Sequence, residues 1–179
     1  GGVLFVLLFI VHGANWMAVK STGKLQARMA AISQKTWLAL VPVAVVFLLA
    51  SYFATDLWAN YFRYPVLFIV TLVNVAALLS IRYFVANKTY FKAWFASAAT
   101  IVLCTFFGII GLFPALFPSS LHPDWHLTAF NASSSPLTLK IMLGVVVVFI
   151  PIVIGYQIWA YHLFKDPVTE EDLDMDEAY

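Results

Sequence analysis

Five apolar runs decide what this chain can fold into. They occupy residues 3–20, 36–54, 64–83, 90–117 and 137–164. Each is close to the roughly 20 residues that a helix needs to cross the hydrocarbon core of a bilayer. Backbone inside lipid has no water to bond, so each run must satisfy its own amides and carbonyls as a helix. The expected fold class is all-α: a polytopic transmembrane helical bundle of five spans. Only 11% of the 179 residues are charged and 63% are hydrophobic, against about 25% and 45–50% in soluble domains. The net charge is +1 and no basic cluster is large enough to hold nucleic acid, so no such partner is expected.

The basic residues set an orientation. Lys20, Lys24, Arg28 and Lys35 lie between the first two runs, Arg82, Lys88 and Lys92 around the link from the third to the fourth, and Lys165 after the fifth. Loops rich in Lys and Arg stay in the cytoplasm, which puts the C-terminus there too. Only Arg63 and Lys140 remain for the opposite side. Trp16, Trp37, Trp58, Trp94 and Trp159 fall near span ends, where an indole ring is buried and its N–H stays wet.

Link lengths set the expected grouping. Antiparallel neighbours in a bundle prefer short links, and the first link is long and polar. One helix of a preceding bundle plus a four-helix bundle is therefore expected. Residues 1–35 would hold the first span and a cytoplasmic amphipathic connection, 36–164 the four-helix transmembrane bundle, and 165–179 an acidic cytoplasmic tail. That tail carries seven of the nine acids, and such a run is expected to be solvated and mobile. The chain opens on glycine at the edge of an apolar run, without a basic leader. It is expected to begin partway through a larger protein and not with a signal peptide.

Chemistry-bearing residues are scarce. The two acids outside the tail, Asp56 and Asp124, both lie outside the runs, so these spans hold no carboxylate relay. No phosphate loop, paired carboxylates or nucleophile–base pair is present, and no catalytic residue is expected. Cys104 stands alone, which excludes an intrachain disulfide and a cysteine-based metal site; no metal site is expected. The cofactor-binding candidates are His12, which could ligate haem or metal, and Gln157, which could meet a quinone headgroup. A lone polar residue in a membrane helix more often bonds a neighbouring helix, as expected for Asn74, and no cofactor is expected on either candidate. Gly108 and Gly111 permit close helix approach, and Pro114 is expected to kink the outer end of the fourth span.

The stretch "FNASSSPLTLK" from Phe130 enters the last span in an unusual way. Ser135 is a good N-cap and Pro136 a good first helical residue. Lys140, one turn in, opposes the helix dipole. It calls for an anion, from a lipid phosphate or an acid on another subunit.

Four segments in this order resemble subunit II of cytochrome bd-type quinol oxidases, in its C-terminal half. They are "HGANWMAVKSTGKLQAR" from His12, "GLFPALFPSS" from Gly111, "NASSSPLTLKIML" from Asn131 and "PIVIGYQIWAYHLF" from Pro151. The resemblance implies eight spans in the complete subunit, of which these would be the last five. It implies a terminal oxidase of aerobic respiration in a prokaryotic cell (inner) membrane, oxidising quinol, reducing oxygen to water and contributing to the proton gradient. Two haems b and one haem d would sit on subunit I, the main partner. The other implied partners are the N-terminal half of subunit II, lipids, quinol and, in some complexes, small single-span subunits. This chain would chiefly scaffold subunit I. Pro114, Pro118, Ser119, Ser120, Ser134, Ser135, Pro136, Leu137, Thr138 and Lys140 carry over only as structure-setting positions of the outer surface. The competing readings are a transporter segment, which needs a polar midplane cavity, and a structural subunit of another membrane complex.

Overall fold

The computed structural model describes residues 1–169; the acidic stretch from Glu170 onward, expected to be solvated and mobile, lies outside them. The described residues form six helices and three short 3-10 turns. Five helices are long and apolar enough to cross a membrane, and the chain is an all-α, multi-pass membrane protein. It divides into two compact units, Gly1–Phe113 with Pro167–Tyr179, and Pro114–Asp166.

In the first unit, α1 spans Gly2–Lys20 and α2 spans Gly23–Ala54. The second helix starts 13 residues before the expected position 36. Residues 24–35, KLQARMAAISQK, hold strong helix formers and neither Gly nor Pro, so the polar connection is itself helical. The expected boundary at residue 35 falls inside α2. The break from α1 is short: Ser21 and Thr22 are extended. Gly23 then takes φ 63°, which costs a residue without a Cβ little. Gln26 closes the turn by donating its amide to the carbonyls of Ala18 and Ser21, both at 2.9 Å. A helix end leaves such carbonyls without partners.

Beyond α2 come a 3-10 turn at Asp56–Trp58, α3 at Ala59–Arg63, a second turn at Pro65–Leu67, and α4 at Phe68–Ala86. A three-residue link then leads to α5, Tyr90–Leu112. Lys88 turns it, with φ 56°. The amides of Lys88 and Thr89 bond back to Val85 and Phe84, the Schellman pattern that satisfies the last carbonyls of a helix. The fourth span ends at Leu112, not at 117. Phe113 is extended, with ψ 136°, as a residue before proline prefers. Pro114 therefore terminates the helix and kinks nothing.

The expected grouping set the first span apart from the other four. Within the first unit α1 packs directly on α2 and α5; the two-residue link makes α1 and α2 neighbours. Leu4, Leu8, Val11, Trp37, Leu40, Ile81, Val85, Ala93 and Ala96 form the main core. A second, aromatic core joins Leu57, Tyr61 and Phe107, with Trp58 and Phe68 against it. Here α5 meets the turn so closely that a Cβ on Gly111 would lie 2.5 Å from the Leu57 carbonyl oxygen.

The second unit holds a long loop and α6, Pro136–Leu163. The loop is internally bonded. Phe117 and Leu127 exchange amide–carbonyl bonds at 3.1 and 3.2 Å, and a 3-10 turn covers Pro123–Trp125. The Ser119 amide donates to His126 Nδ1 at 2.9 Å, and Ser119 Oγ accepts from the amides of Leu121 and His122. Asn131 closes the loop end, accepting from the Thr128 amide and donating to the His126 carbonyl. Pro114 contributes its carbonyl, which accepts from Leu116 and Ala129. Ser135 Oγ accepts from the Thr138 amide at 3.3 Å, and Pro136 occupies the first turn.

Candidate functional site: the polar layer of the first unit

Four polar side chains of the first unit's long helices, His12, Asn15, Ser33 and Ser97, gather where α1, α2 and α5 meet. On α1, His12 and Asn15 are three apart and share a face. Ser97 on α5 meets His12, with Nδ1 and Oγ 2.8 Å apart. The Ser97 hydroxyl also bonds the Trp94 carbonyl at 2.7 Å. A hydroxyl has one proton. With that proton on the Trp94 carbonyl, His12 must donate from Nδ1, leaving Nε2 as the acceptor. The imidazole stacks on Trp94 with ring centroids 5.7 Å apart, and Trp16 packs on the same indole at 5.1 Å.

Asn15 completes the layer. Its amide donates to the Ala93 carbonyl at 3.4 Å and its oxygen accepts from Ser33 at 2.7 Å. Asn15, Ser33 and Ser97 are fully buried. One side chain thus ties α1 to both α2 and α5. One turn further along α2, the Trp37 indole donates to the Leu78 carbonyl of α4 at 2.8 Å, and Arg82 lies over its ring at 5.4 Å.

A separate cavity of about 60 Å³ lies between α1, α2, α4 and α5, with Leu8, Leu40, Thr71, Asn74, Thr100 and Cys104 in its wall. Thr71 Oγ1 and Asn74 Oδ1 are buried there without a hydrogen-bond partner. Asn74 was expected to bond a neighbouring helix, and its side chain lies against Cys104 of α5. The space is of water size, not ligand size; small-molecule pockets begin at about 300 Å³.

The structure therefore gathers His12 with Ser97 and Trp94, and Asn15 with Ser33. Sequence reasoning missed Ser33, Ser97 and Trp94 as partners. Each is a single polar or amphipathic residue in a helix, and nothing local says which helix it will face. Gln157 lies on α6, none of whose residues is buried. Among the described residues, no three metal-ligating side chains gather.

These helices and their order find a match. The sequence profile of the family described as cytochrome bd terminal oxidase subunit II matches residues 1–164. The chain belongs to that family. Similar curated proteins carry related descriptions. A probable cytochrome oxidase subunit 2 of Haemophilus influenzae is 33% identical, over 89% of this chain and 49% of its own length. The cytochrome bd ubiquinol oxidase subunit 2 of Bacillus subtilis is 30% identical, over 96% and 50%. The cytochrome bd-I ubiquinol oxidase subunit 2 of Escherichia coli strain K12 is 27% identical, over 97% and 53%. The chain spans about half the length of the curated relatives it matches. The matched stretch includes the polar layer, the loop and α6.

Proposed function

We propose that this chain acts as part of subunit II of a bd-type terminal oxidase, in a complex that oxidises membrane quinol, reduces oxygen to water and contributes to the proton gradient. The observation that carries this is the family match along residues 1–164. The ubiquinol oxidase names of the Bacillus and Escherichia relatives support quinol as the substrate.

The role proposed for the chain is to scaffold a haem-bearing subunit I. Against a haem on His12 stand the packing of its ring on Trp94 and an interior cavity of the first unit far below porphyrin size. Two larger grooves, of about 440 Å³ beside Phe84, Lys92 and Phe95 and of about 240 Å³ beside Asn60, Tyr64 and Phe113, offer no histidine. That two haems b and one haem d sit on subunit I is part of this proposal and follows the family resemblance.

The outer loop of the second unit is proposed to be a contact surface for the rest of the complex. Its hydrogen bonds hold Phe117 and Leu121 outward at 72% and 81% exposure. Ordered apolar side chains of this kind mark interaction surfaces. The span ends bearing Lys24, Arg28, Lys88 and Lys92 are assigned to the cytoplasm by the positive-inside bias.

The test is to purify the complex through a tag on this chain, then record its spectrum and its quinol-dependent oxygen uptake. Red absorbance from haem d and quinol oxidation are expected. Replacing His12 with alanine should leave every haem band in place. Loss of one haem band at normal subunit stoichiometry would place a ligand on this chain.

A further inference from the structure

Two oxygens of α4 end in the cavity between α1, α2, α4 and α5. Thr71 and Asn74 are three residues apart, so their side chains leave the helix on one face. Both stand in the cavity wall, and Thr71 Oγ1 and Asn74 Oδ1 are buried there with no partner among the described residues. Lipid offers such atoms no hydrogen bond, and an unpaired polar group within a span is costly.

On α5, Thr100 brings a third oxygen to the same wall. It donates its hydroxyl proton to the Ala96 carbonyl at 2.8 Å, and the hydroxyl oxygen keeps lone pairs with which to accept. The Asn74 amide bonds the Cys104 thiol of α5 with its other end. Much of the remaining wall is apolar, with Leu8 and Leu40 among its residues.

Chemistry and size together select the occupant. An amide oxygen only accepts, so whatever meets Asn74 Oδ1 must donate. Dioxygen and acyl chains have no proton to donate. A hard cation takes about six oxygen ligands, carboxylates among them, and no residue of this wall is acidic. The volume is about 60 Å³, and one water needs only about 10–15 Å³. Water both donates and accepts, so it serves either end of the amide. A buried water typically makes about three hydrogen bonds, and Thr71, Asn74 and Thr100 supply polar atoms for them. We propose that this cavity is a water-binding site, holding ordered water anchored on Asn74 Oδ1 and Thr71 Oγ1 and bonded onward to Thr100. The water acts as a structural ligand, joining α4 to α5 through bonds that Thr71 Oγ1 and Asn74 Oδ1 do not make directly.

A cryo-EM map of the purified, assembled complex, sharp enough to show ordered water, tests it. At least one peak is expected in the cavity, within about 2.5–3.2 Å of both the Asn74 amide and Thr71 Oγ1. A Thr71→Val, Asn74→Leu variant keeps the side-chain shapes and removes both anchors, so its map should lose the peak. The variant should also take up xenon in the cavity under pressure, as dry apolar cavities do, while the unaltered complex should not. If the variant does not assemble, the unaltered complex decides by its own map and its own xenon uptake. An unfilled cavity, bound xenon, a lipid chain, or a side chain from the rest of the complex between the two oxygens of the unaltered chain would overturn the proposal. A peak that persists in the variant would overturn the assignment of Asn74 and Thr71 as its anchors.

Discussion

Ser33 Oγ donates to Asn15 Oδ1 at 2.7 Å, with both side chains fully buried between α1 and α2. Hydrogen bonds between membrane helices contribute about 0.6–2 kcal/mol. Removing one partner also leaves the other buried and unpaired, which costs about 1–3 kcal/mol. Ser33→Ala should therefore destabilise the complex by about 1–2 kcal/mol, read as a lower melting temperature in detergent. Adding Asn15→Ala should cost less than the sum of the two single changes. Additive losses would show that the bond is not a coupling.

Gly111 and Gly108 make a matched pair for a second prediction. A Cβ on Gly111 would meet the Leu57 backbone oxygen at 2.5 Å, while one on Gly108 meets nothing within 4 Å. Backbone cannot step aside as a flexible side chain can. Gly111→Ala should cost about 1–3 kcal/mol through overpacking. Gly108→Ala should be neutral or slightly stabilising, since alanine is the better helix former. Equal effects on melting temperature would refute the close contact.

Tyr61 supplies a pH dependence. It is fully buried, and its hydroxyl donates to the Phe107 carbonyl at 3.0 Å. Burial pushes its ionisation up from 10.0 to about 12. The folded state holds this proton more tightly than the unfolded state does. The contribution to stability is thus complete below pH 10 and is lost as pH rises toward 12. Melting curves should fall more steeply between pH 10 and 12 for the native chain than for Tyr61→Phe. Parallel curves would remove Tyr61 as the cause.

The start of α6 gives a fourth prediction. Ser135 accepts from the Thr138 amide and Pro136 fills the first turn. A Ser135→Ala, Pro136→Ala change should cost about 1 kcal/mol and reduce retention of partner subunits in detergent. Oxygen affinity in the surviving complex should not change. Unchanged retention and melting would leave the loop as passive cover.

What the sequence makes legible is what local physics decides. The spans follow from apolar length, and the cap of α6 follows from serine and proline at adjacent positions. The true start of α2 is obscured because residues 24–35 are amphipathic, and a polar connection and a helical extension of the span look alike in hydropathy. Pro114 reads equally as a kink or a stop until the backbone of Phe113 is known. The polar layer is half legible. His12 and Asn15 stand out in an apolar run, but their attachment to Ser97 and Ser33 depends on which helices become neighbours. The parallel bridge between Val168 and Ser21 joins distant parts of the chain, and no pattern announces it.

The two-residue turn between α1 and α2 and the three-residue turn between α4 and α5 bear on how the chain is built. Short links close at little entropic cost, and Gln26 and Lys88 shape the reversals from within. Each pair can form as a hairpin while the ribosome is still adding residues. Asn15 to Ala93 and Trp37 to Leu78 join one hairpin to the other, so they are the contacts of a later assembly step. A defect in those side chains would strand two sound hairpins in the bilayer, whereas a defect in either turn would strike during insertion itself.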